Sequence, residues 1–108
     1  MPLPELVQFL SRDVTMEQAR ALDGVRVLSD PDDGSPYLVI VEPQEALRVS
    51  DLKALFGEPR RGRSHPEQPH QLIFDTPEIA DAPWHVVVTA QSSDGERVSR
   101  IALRRDRM

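Results

Sequence analysis

The segment Ser50-Asp51-Leu52-Lys53-Ala54-Leu55-Phe56-Gly57-Glu58-Pro59 constrains this chain more than any other. It reads as one short helix with both ends marked. Ser50 is placed to cap the first free amides, and Asp51 complements the positive end of the helix dipole. Gly57 suits the left-handed closure of a helix, and Pro59 forbids continuation. With that helix fixed at 51–56, the flanking stretches fall into register.

Upstream, Leu3, Leu6, Val7 and Leu10 keep the spacing of one helical stripe. Thr15-Met16-Glu17-Gln18 fits a capping box, and Ala19 and Leu22 continue a buried face that Asp23-Gly24 ends. Helices this short must dock on something. The apolar, β-branched runs Val25–Leu28 and Tyr37–Val41 supply it, joined by a turn-rich octet from Ser29 to Pro36, so they read as a hairpin. Tyr37–Val41 is apolar on both faces, as in a strand covered on each side. The stretch 43–49 fits either a helical turn or more strand.

Downstream, residues 58–69 carry three Pro and three Arg and no apolar residue, and they read as a long exposed loop. Gln71–Asp75 reads as a strand. Trp84–Gln91 and Glu96–Arg104 read as a hairpin turning at Ser92-Ser93-Asp94-Gly95. Trp84, Val86 and Val88 share one face, and Ile101 and Leu103 share another. The expected architecture is a single small α+β domain over 1–108. It has a mainly antiparallel sheet of about five strands and short helices on one face, in the order α-α-β-β-α-β-β-β.

Composition limits function. The 108 residues support one modest core. The net charge is −5, carried entirely by the first 57 residues, which opposes general binding of nucleic acid. Twelve of the thirteen basic residues are Arg, as expected of a GC-rich bacterial genome. Without cysteine there is no disulfide and no thiolate metal site. No apolar run approaches a membrane span and no secretory signal is evident, so the expected setting is cytoplasmic.

No catalytic motif stands out. His65, His70, His85 and Asp75 are the candidates for acid–base or metal chemistry, yet they lack a ligand pattern, so neither a metal nor a cofactor is expected. Ser64 beside His65 is not a nucleophile–base arrangement, and no Gly-x-Ser-x-Gly elbow occurs. The acidic turn Asp30-Pro31-Asp32-Asp33-Gly34 lacks the closing Glu of a calcium loop. Arg60, Arg61 and Arg63 sit in the loop and Arg97, Arg100, Arg104, Arg105 and Arg107 run along the last strand and tail; of these two groups Arg60, Arg61, Arg63, Arg100 and Arg104 are the candidate binding residues. They would form a cationic patch if the two groups met; separately, they read as a wet strand face.

The function expected is a non-enzymatic protein-binding or accessory module, of an adaptor or immunity type. It would bind through a sheet edge, or through the 58–69 loop with the final strand. One alternative is a small hydrolase or isomerase using His70, Asp75 and His85. Another is a self-assembling homodimer joined through a sheet edge.

Overall fold

The structure is a computed structural model that describes residues 3–42, 47–61, 70–76, 79 and 81–107, with the side chains of Arg61, His70 and Arg107 excepted. Its helices are α1 (Leu3–Leu10), α2 (Met16–Arg20) and α3 (Val49–Phe56). Its strands are β1 (Val25–Ser29), β2 (Pro36–Val41), β3 (Arg60–Arg61), β4 (His70–Asp75), β5 (Trp84–Ser92) and β6 (Arg100–Arg107). They form one antiparallel sheet in the order β1-β2-β6-β5-β4-β3. The expected α+β fold and element order are present. A two-residue strand, β3, sits where the long loop was expected to begin.

Local chemistry explains most element ends. Thr15 completes a full capping box: Gln18 N–H donates to Thr15 Oγ1 at 3.1 Å, and Thr15 N–H donates to Gln18 Oε1 at 2.9 Å. Gly57 closes α3 at φ 86°, donating its amide to the Lys53 carbonyl at 2.8 Å. The start of α3 differs from expectation. The helix begins at Val49, one residue before Ser50, and Asp51 takes the capping role by accepting the Arg48 amide at 3.0 Å. Pairing decides this start: Val49 N–H donates to the Glu96 carbonyl and Val98 N–H to the Leu47 carbonyl, which anchors the chain just before the helix.

The same pairing corrects the last hairpin. Residues 96–99 do not continue β6; they swing out to meet residues 47–49, with an isolated bridge between Arg48 and Arg97. Asp94 organises the departure. Its carboxylate accepts the amides of Glu96 and Arg97, both at 2.8 Å, and the Ser92 hydroxyl at 3.2 Å. β6 therefore starts at Arg100 and runs through Arg107.

One sheet face is covered. Leu6, Val7 and Leu10 of α1 and Val49 and Leu52 of α3 pack against Val39, Leu72, Phe74, Val86, Val88, Ala90, Ile101 and Leu103. Phe56 meets Phe74 with ring centroids 6.3 Å apart. Register alignment brings the Trp84 row and the Ile101 row onto this same inner face, with Val88 opposite Leu103 and Ala90 opposite Ile101. Tyr37–Val41 was expected to be covered on both sides. Leu38 and Ile40 instead lie on the outer face, half-buried, with Arg104 and Arg26 as register neighbours. Long arginine stems can shield apolar neighbours while keeping their charge in water.

Candidate functional site

The outer face is built of cross-strand rows. One runs Arg26, Ile40, Ala102, Thr89, Ile73, Arg60, and the next runs Leu28, Leu38, Arg104, Val87, Asp75. Three of the five candidate arginines, Arg60, Arg100 and Arg104, therefore share this face. They do not converge: three strand spacings of about 4.8 Å separate β3 from β6, so the two groups stand about 14 Å apart.

Each of these arginines is also next to a carboxylate. Arg60 makes a bidentate pair with Asp75 at 2.9 Å, Arg100 reaches Glu42 at 3.4 Å, and Arg104 reaches Asp106 at 3.1 Å. The face is charged but locally balanced. Arg61 is opposite Leu72 in register, and Arg63 lies outside the described residues.

The candidate acid–base residues are brought together only in part: Asp75, opposite Val87, and His85 are diagonal neighbours on the outer face, while His70 stands apart. His70 and Asp75 stand at opposite ends of β4, about 16 Å apart at the usual rise per residue. His85 is on the outer face, its Nε2 3.1 Å from the Thr76 carbonyl, while Trp84 faces the core side. The neighbouring Thr76 hydroxyl donates to the Val86 carbonyl at 2.6 Å. His65 lies outside the described residues. Among the described residues no three His, Asp or Glu side chains gather in a way that could hold a metal ion.

The most tightly built polar group is centred on Arg105, which the sequence places only among the arginines of the last strand and tail. Arg105 is 1% exposed. Its guanidinium donates to the carbonyls of Leu10 at 2.8 Å, Pro36 at 2.7 Å and Arg12 at 2.7 Å, and it lies 4.2 Å from the Trp84 ring centroid. The planar fork suits such a divergent set of acceptors, and the ring face complements its charge. Burial pushes the Arg105 pKa below its ordinary value, and the fields of Asp13 and Asp33 oppose that shift. The available signal was parity: Arg105 continues the alternation of Ile101 and Leu103.

Beside Arg105 an open cleft of about 580 Å³ has carboxylates from Asp30, Asp32, Asp33 and Asp106 and rings from Tyr37 and Trp84. Its negative charge faces a guanidinium already held in the wall. The arrangement balances the buried cation of the fold.

The remaining feature is β1. Among the described residues its one strand neighbour is β2. Among the described residues no backbone hydrogen bond from outside the sheet ends on Val25–Leu28. Arg26, Leu28 and Ser29 are exposed, Leu28 at 43%. Leu28 and Tyr37 are two of the four large apolar side chains that stay exposed among the described residues. Such an edge carries a row of unused donors and acceptors, a template for another strand.

No family model, curated protein or solved structure matches this chain. Among the described residues no helix is long and apolar enough to cross a membrane.

Proposed function

We propose that this chain is a non-enzymatic protein-binding module of the accessory or adaptor kind, which takes its partner by strand addition along β1. One observation carries the reading: among the described residues β1 is a five-residue edge with one side unpaired and an exposed leucine near its end. Strand addition draws affinity from main-chain hydrogen bonds and specificity from alternate side chains, so it needs no preformed pocket. The cysteine-free composition is consistent with the cytoplasmic setting expected from the sequence. The hydrolase alternative has less support, because it needs His70, Asp75 and His85 in one pocket.

Hydrogen exchange on the complex captured from native lysate tests this. Amides of Val25–Ser29 are expected to gain protection, and Leu28→Lys is expected to abolish capture without changing thermal stability. Protection confined to the region of Arg60, Arg100 and Arg104 would overturn the reading.

A further inference from the structure

The sequence contains three Asp-Gly pairs, Asp23-Gly24, Asp33-Gly34 and Asp94-Gly95, and no asparagine. In such a pair the aspartyl side chain can cyclise onto the next amide, because glycine has no Cβ to hinder its own nitrogen. All three pairs are exposed, and their glycines share nearly the same backbone, with φ of 71°, 73° and 81°. By sequence, exposure and glycine conformation the three sites are equal. Hydrogen bonding separates them.

Asp33 is held at both reacting groups. Its carboxylate accepts the Ser35 amide at 2.8 Å and the Ser35 hydroxyl at 2.6 Å, while Gly34 N–H donates to the Asp30 carbonyl at 2.9 Å. Asp94 is held by more bonds. Its carboxylate accepts the Glu96 and Arg97 amides and the Ser92 hydroxyl, and Gly95 N–H donates to Ser92 Oγ at 2.9 Å. Those bonds, that of Arg97 first, also keep the Asp94 carboxyl below its ordinary pKa, and the carboxylate is a poorer electrophile than the acid. Asp23 differs from both. Among the described residues its carboxylate accepts no hydrogen bond and joins no ion pair, and the Gly24 amide donates to nothing.

We propose, independently of the binding reading above, that Asp23 is a site of spontaneous covalent modification, which converts to isoaspartate while Asp33 and Asp94 are protected by their hydrogen bonds. The Gly24 nitrogen attacks Cγ of the protonated Asp23 side chain. The N–Cγ bond forms, the Cγ–OH bond breaks, and the amide proton leaves with the hydroxyl as water, giving a cyclic imide. Water then adds to the former main-chain carbonyl of Asp23, and the bond from that carbon to the nitrogen breaks. One water is lost and one is gained, so the step needs no oxidant or cofactor and leaves the mass unchanged. The chain now runs through Cβ and Cγ, one carbon longer, with a carboxylate on Cα. The added carbon falls two residues before Val25, where β1 begins its pairing with Val41.

The test is prolonged incubation of the native protein at neutral pH, followed by tryptic mapping with electron-transfer fragmentation, which tells aspartate from isoaspartate at each site. Isoaspartate is expected to accumulate at Asp23 at least about tenfold faster than at Asp33 or Asp94, since breaking even one charge-assisted hydrogen bond slows a step by about that factor. A parallel incubation in urea removes the folded contacts, and there the three rates are expected to converge. No product at Asp23, comparable rates at the three sites of the folded protein, or a faster rate at Asp33 or Asp94 would overturn the inference. So would a preference for Asp23 that persists undiminished in urea, because it would then come from the neighbouring sequence and not from the fold.

Discussion

The two faces of the sheet use arginine in opposite ways. On the inner face Arg105 is sealed from water, and three backbone carbonyls and an indole ring take up its donors and its charge. On the outer face Arg60, Arg100 and Arg104 stay half-exposed or more, each beside a carboxylate. The inner arrangement joins the end of α1, the start of β2 and the end of β6 into one piece. The outer arrangement joins nothing that the strands have not already joined. A charge stabilises this fold where it meets backbone groups, and contributes little where it meets another charge in water.

That contrast can be broken most directly at Arg105. Arg105→Ala leaves three carbonyls without a donor and removes the cation from Trp84, and is expected to cost about 4 kcal/mol of unfolding free energy, a large part of what a domain this size has. Arg105→Lys keeps the charge but not the fork, and is expected to lose about half as much. Urea denaturation measures both. A loss below about 1 kcal/mol for the alanine variant would mean that water replaces the guanidinium freely.

A smaller effect is expected at Asp94, another charge that meets backbone. The amide of Arg97 first, and that of Glu96 second, hold its carboxyl below the ordinary value of 3.8. A carboxylate with a depressed folded pKa adds stability that is fully present above its unfolded value and fades as the pH falls through the folded one. Asp94→Asn is therefore expected to be less stable than wild type at neutral pH, with the gap closing below about pH 4. A gap that stays constant into acid would assign the role to loop geometry, with no part for the charge.

The smallest effect is expected across the open face. Removing either partner of the pairs Glu42–Arg100 or Arg104–Asp106 should change stability by about 0.5 kcal/mol or less, and high salt should erase even that. A loss as large as that of Arg105→Ala would collapse the distinction between the faces.

Local chemistry made much of this legible in advance. The stripe of α1, the capping box of α2, the turn-rich hairpin and Gly57 each act within a few residues, so the sequence states them directly. What escaped depended on partners far along the chain. The start of α3 is set by Val49 and Glu96, and the wide turn after β5 by residues 96–98 leaving to pair with 47–49. Arg105 escaped for a related reason: a strand rich in arginine looks wet throughout, although Ile101, Leu103 and Arg105 are buried. The site was less legible than the fold, because the arginine groups and the histidines were judged by composition, and only register shows how far apart they stand.

The position of β6 in the sheet has one more consequence. Among the described residues it alone pairs with both β2 and β5, and the hairpin of β1 and β2 has no strand contact there with the β3–β5 unit except through it. Leu38 finds its partner Arg104 only after sixty-six further residues. On a ribosome the two sub-sheets would emerge as separate, unfinished pieces, each with an exposed flank inviting the wrong neighbour. Closure is then a single late event, and a nascent chain stalled before Arg100 is the form most in need of a chaperone.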